Sequence, residues 1–173
     1  TWEQWVLIKA DDHWDNPHCD RDLLRRHLEL AVARDAPVLT FGDAMCLMQG
    51  KHDKRADKSS IRPEHQVRNY LDAVVNTYVE WHKPYASQLA FLSPGNHEAA
   101  IRDRHETDMI ERVVGGLQAH GSPVVKGGYS GWVRMQFQRD QERTRRMLWY
   151  IHGYGGGGPV TKDMIQRSRQ QIY

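Results

Sequence analysis

The chain has 173 residues, the length of about one domain, which is enough to bury a sizeable core. Its 24 Lys and Arg against 22 Asp and Glu leave a formal net charge of +2, so global charge gives no argument for a nucleic-acid partner, and any basic patch must be local. Two cysteines are too few for a disulfide framework, and no apolar run approaches the ~20 residues that span a bilayer, so the expectation is a cytoplasmic chain without a membrane partner.

The pattern alternates strand and helix. Trp5-Val6-Leu7-Ile8 reads as a strand. Asp20 then suits a helix N-cap, with Leu23, Leu24, His27, Leu28, Leu30 and Ala31 recurring at helical spacing, and Arg34-Asp35-Ala36-Pro37 stops that helix ahead of a second strand, Val38-Leu39-Thr40-Phe41. The polar residues 50–62 read as a solvated insertion. Pro63 suits the first position of a helix, and Val67, Tyr70, Leu71, Val74, Val75, Tyr78 and Trp81 predict one long amphipathic helix ending near Pro84. Ala90-Phe91-Leu92 is a short strand, and residues 107–118 form a helix with Met109, Ile110, Val113, Val114 and Leu117 on its apolar side. Residues 127–137 and 144–151 alternate as two strands of an antiparallel pair joined by a polar turn at 138–143. Gly155-Gly156-Gly157-Gly158-Pro159 cannot be regular structure, and residues 160–170 resume as a short polar helix.

Four short motifs follow apolar runs: Asp11-Asp12-His13, Gly42-Asp43, Gly95-Asn96-His97-Glu98 and His152-Gly153. Carboxylate, imidazole and amide oxygen are the donors a pair of divalent cations needs to activate a water, clamp phosphoryl oxygens and neutralise a leaving oxygen. Asp11 and His13 point the same way as the first strand runs out and supply one metal. Asp43 bridges both ions, Asn96 and His152 supply the second, and His97 stands beside the site as a proton donor. The plainer explanation of the same residues is turn chemistry at strand ends, which four motifs in this order outweigh.

That order, D-x-H, G-D, G-N-H-E and H-G, resembles the calcineurin-like metallophosphoesterase superfamily over most of the chain. The resemblance implies an α/β (α+β) fold, a sandwich of two sheets flanked by helices. It also implies a binuclear centre filled by manganese, or by iron, zinc, nickel or magnesium, that hydrolyses phosphomonoesters or phosphodiesters. The family closes its site with G-H-x-H. The ten histidines here, at 13, 18, 27, 52, 65, 82, 97, 105, 120 and 152, include no H-x-H pair. Residues 1–173 are therefore expected to form a single domain cut short before the last metal-binding motif, with each metal one ligand short.

Serine/threonine protein phosphatases share G-N-H-E, but they place an aspartate-arginine pair after G-D, where this chain reads Ala44-Met45-Cys46-Leu47-Met48. The missing arginine makes the chain look more like the exonuclease-type and phage-encoded members, which points to a phosphodiesterase with DNA as a candidate substrate. A phosphomonoesterase and a metal-free binding module are the alternatives. Asp12, Asp15 and His18 read equally as partners that orient ligands or as loop residues. Arg102, Arg104, Arg143, Arg145 and Arg146 read equally as phosphate contacts or as exposed faces. The tetraglycine reads as a flexible loop before a phosphate cradle, and Cys46 as a small buried hydrophobe.

Overall fold

A computed structural model of the chain describes residues 3–48, 56, 57, 59 and 61–153. Its elements are β1 (Leu7–Lys9), α1 (Arg21–Ala33), β2 (Val38–Phe41), α2 (Tyr70–His82), β3 (Leu89–Ser93), α3 (Asn96–His105), α4 (Met109–Gln118), β4 (Val125–Lys126), β5 (Ser130–Arg139) and β6 (Glu142–Ile151). Strands β1 to β4 form one parallel sheet in the order β1-β2-β3-β4, while β5 and β6 form a separate antiparallel pair. The chain is thus mixed α/β. Parallel neighbours need a crossover, and α1, α2 and the α3–α4 pair supply the three here. The carboxyl ends of β1, β2 and β3 therefore share one edge, and three of the four motifs leave the sheet there.

Helices α1 and α4 start on local side-chain caps. The Asp20 carboxylate accepts the Leu23 N–H at 2.8 Å and starts α1, whose Leu24, Leu28 and Ala31 are buried at a helical repeat. Leu23 and Leu30, expected on that face, are 41% and 49% exposed. Asp108 caps α4 through the Glu111 N–H at 3.0 Å, and all five apolar residues expected on the inner face of α4 are buried. The core gathers these side chains with Val74, Tyr78 and Val79 of α2, Val38 and Leu92 of the sheet, and Trp14.

Three expectations change. The long helix from Pro63 is instead a single 3-10 turn at Pro63–His65, with α2 starting only at Tyr70. His65 turns inward to bond Thr77 at 2.8 Å, which bends the chain away from the helix path, and Val67 is left exposed. The end of the polar stretch is core rather than insertion: Ile61 is buried, and Arg62 donates to the carbonyls of Asn16 and Cys19, each at 3.0 Å. The turn between the last two strands is shorter than expected. Pairing runs from Ser130↔Ile151 to Arg139↔Glu142, leaving Asp140 and Gln141 as a two-residue turn with Asp140 at φ +52°. The expected glycine loop at 155–159 and helix at 160–170 lie outside the described residues, as does most of 50–62.

Tyr150 fastens the β5–β6 ribbon to the sheet. Its ring lies 4.8 Å from Phe41 and 5.3 Å from Phe91, and its hydroxyl donates to the Gly128 carbonyl at 3.2 Å. The residue two positions on, His152, is thereby brought to the strand ends that carry the other motifs.

Candidate metal centre

Asp43 is the hub. It sits just past β2 at φ +47° with its side chain buried, and Oδ1 accepts the His97 backbone N–H at 2.9 Å from the first turn of α3. Around Oδ2 stand three imidazole nitrogens: Nε2 of His152 at 3.3 Å, of His97 at 3.9 Å and of His13 at 4.0 Å. Two donor atoms that share one cation at about 2.0–2.2 Å each are separated by roughly 3–4 Å, so these spacings suit a metal held between them. Asp11, His13 and Asp43 each offer a ligand atom within 4.8 Å of the others.

The rings are set by backbone carbonyls. His152 Nδ1 bonds the Phe41 carbonyl at 2.9 Å, and His97 Nδ1 bonds the Cys46 carbonyl. A nitrogen that donates to a carbonyl carries a hydrogen, which leaves Nε2 of each ring, facing Asp43, as the atom that gains or loses the second proton. The Nδ1 of His13 is buried without a partner among the described residues.

Glycines make room for this approach. A Cβ on Gly42, at φ +85°, would lie 2.1 Å from His152 Nδ1, and one on Gly95 would lie 2.1 Å from Asp43 Oδ1. The loops are also bent in ways side chains resist: Asp11, His13, Asp43 and Leu47 all have φ between +44° and +56°, each costing about 1–2 kcal/mol. Two buried carboxylates hold the loop after Asp43 against that cost. Glu98 accepts the N–H groups of Met45 and Gly95, both at 2.9 Å, while Asp15 accepts those of Cys46 and Leu47 and the Tyr70 hydroxyl at 2.8 Å. The sequence shows Glu98 only as part of a motif and leaves Asp15 between two roles, since the groups Asp15 accepts from lie at residues 46, 47 and 70.

The electrostatics follow. Burial alone would push the Asp43 carboxyl up, but hydrogen bonds from His152 and from the His97 N–H outweigh it and hold the group below the usual range. His152 is raised to about 9, chiefly by its hydrogen bond to Asp43. His13 is lowered, first by burial and then by His97. Glu98 is raised to about 7 by burial, despite its two N–H donors. Without a cation the centre stores a His152–Asp43 ion pair, and a cation would take the place of that proton.

Of the residues singled out from sequence, the structure brings Asp11, His13, Asp43, His97 and His152 together. Asn96 opens α3 beside His97, with its side chain exposed and making no hydrogen bond among the described residues. Asp12 pairs with Lys9, and His18 is exposed on a cavity of about 510 Å³ in front of His13 and His97. Cys46 is buried as expected, beside both histidines. Arg102 faces solvent next to Asp103.

Comparison with family models, with curated proteins and with solved structures gives no match for the chain. The centre's own geometry therefore carries its assignment.

Proposed function

We propose that the chain is a calcineurin-like metallophosphoesterase that hydrolyses phosphodiesters, with DNA as substrate, at a centre for two divalent cations, manganese first among them. The observation that carries this is the convergence of three imidazole Nε2 atoms on one oxygen of Asp43, at 3.3, 3.9 and 4.0 Å. The donor set of carboxylate and neutral imidazole fits manganese, iron, zinc or related ions. Asp11 and His13 would hold one ion and Asn96 and His152 the other, with Asp43 shared. Bound there, the ions supply Lewis-acid polarisation of phosphoryl oxygens and a water acidic enough to attack near neutral pH.

The chain's own residues do the rest. The Cys46 carbonyl fixes the His97 ring, so that Nε2 is the atom that gives a proton to the departing oxygen. Among the described residues no arginine lines the two cavities flanking the centre, of about 550 and 510 Å³, and the one lysine there, Lys9, is paired with Asp12, so a dianionic monoester has no bidentate clamp for its second charge. A diester carries one charge fewer.

The exposed face of the ribbon favours a nucleic acid among diesters. Trp132 and Trp149 are directly opposed across the two strands and are 65% and 43% exposed. Along the same face the register places Arg134 against Met147, Gln136 against Arg145 and Gln138 against Arg143, with no acidic side chain among them. Aromatic rings that stack on bases beside arginines that follow phosphates are the elements of single-strand binding. Trp149 also lines the 550 Å³ cavity with Asp11 and His152, which leads from the ribbon to the centre.

Manganese uptake measured by elemental analysis, with cleavage of bis-p-nitrophenyl phosphate and of single-stranded DNA, tests the reading. Uptake and diester cleavage that both fail in Asp43→Asn support it. Preference for phosphoserine peptides without diester cleavage would restore the phosphatase alternative, and no uptake at all would favour the binding module.

A further inference from the structure

Cys46 is buried, and its Sγ accepts a hydrogen bond from Asn16 Nδ2 at 3.4 Å. One ligand atom each from His13, Cys46 and His97 lie within 4.8 Å of one another, and the two imidazole rings meet edge to face at 4.8 Å. These three residues share the wall of the 510 Å³ cavity with Asp11, Asp12, His18 and Cys19, so a cation can reach them from solvent. We propose that His13, Cys46 and His97 form a second kind of metal site, one that takes a thiophilic d¹⁰ divalent cation, zinc or cadmium.

The chemistry separates it from the carboxylate centre. A thiolate with two imidazoles suits a borderline-soft ion with no geometric demand from its d electrons, and water completes the tetrahedron. The Asp11–His13–Asp43 group offers oxygen instead and suits manganese. As the S–metal bond forms, the Cys46 thiol proton leaves to solvent. His13 belongs to both groups, so the two kinds of ion compete for one ring. Occupation also takes His97 away from proton transfer, which would make zinc an inhibitor; that consequence rests on the proposed hydrolysis, whereas the binding itself does not.

The test is cadmium titration of the whole chain, read by thiolate-to-cadmium charge-transfer absorbance. One cadmium per chain is expected, with the band kept in Cys19→Ser, lost in Cys46→Ser and formed at least tenfold more weakly in His97→Gln. A band unchanged in Cys46→Ser, or lost in Cys19→Ser, overturns the site. X-ray absorption at the cadmium edge on wild type needs no variant: one sulfur and two imidazole nitrogens support the site, and an oxygen-only or two-sulfur shell overturns it. Asp43→Asn should lose manganese uptake yet keep the band. A wild type that shows the band without manganese uptake would sink the hydrolase reading and leave this site standing.

Discussion

Two sets of histidines, one half-buried and one fully buried, stand out among the described residues, and they differ in what surrounds them. His13, His97 and His152 turn Nε2 toward a carboxylate oxygen. His65 and His82 pack around Trp14, at ring distances of 5.7 and 6.2 Å, with His82 stacked on Tyr78 at 3.8 Å. Burial lowers both of the latter, and His82 falls well below the usual imidazole range. One nitrogen of each bonds to a group on α2, His65 to Thr77 and His82 to the Tyr78 carbonyl, and the other has no hydrogen-bond partner among the described residues. A ring held by one hydrogen bond is thus found in both sets, at His97 and His152 as at His65 and His82. A converging carboxylate is what turns imidazoles into a candidate ligand shell.

The comparison breaks most directly at Asp43. Asp43→Asn should weaken manganese binding by more than about 10²-fold, as measured by calorimetry, because the variant loses the charge that offsets two close cations. Unchanged stoichiometry would remove Asp43 from the bridging role. Next in size is His97→Ala, which should keep manganese yet lower turnover by roughly 10²–10⁴-fold for leaving groups of high pKa and much less for p-nitrophenolate. An equal loss for all esters would replace the proton-donor role with ligation or phosphate binding.

The core set should fail in the opposite way. His82→Ala opens a void beside Trp14 and Tyr78 and should cost about 2–4 kcal/mol in denaturant unfolding, with manganese stoichiometry intact in the folded fraction. If metal uptake fell instead, the division between the two sets would not hold.

The smallest effect is in pH dependence. His152 is raised from 6.5 to about 9 in the fold, so its pairing with Asp43 adds stability fully present below pH 6.5 and lost as pH rises through about 9. Asp43, held low, stays ionised across that window. The stability difference between metal-free wild type and His152→Gln should therefore shrink from pH 6.5 to 9; a constant difference would mean that the pair does not form.

Much of this was legible in the chain. Strand ends and motif order pointed to Asp11, His13, Asp43 and His97, because a parallel sheet delivers successive carboxyl ends to one edge, while His152 arrives on the separate antiparallel ribbon. The cap at Asp20 was readable because the acceptor lies three residues before its donor, whereas the cap at Asp108 is seen only in the structure. What failed depended on distant partners. The inward turn of His65 is decided by Thr77, a contact no local periodicity encodes. The short turn of the ribbon follows from pairing that continues through Arg139↔Glu142, where exposed charged residues on both strands hide the alternation. Asp15 was ambiguous for the same reason: its three donors come from residues 46, 47 and 70.

Five backbone amides around the centre, those of Met45, Cys46, Leu47, Gly95 and His97, end on side-chain carboxylates rather than on carbonyls. Their hydrogen exchange is therefore coupled to the charge of the acids that receive them, unlike that of a helix or sheet amide. With Glu98 titrating near 7, protection at Met45 and Gly95 should slacken as the solution is acidified through neutrality. The loop that presents Asp43 thus has two tethers, and one of them loosens close to physiological pH.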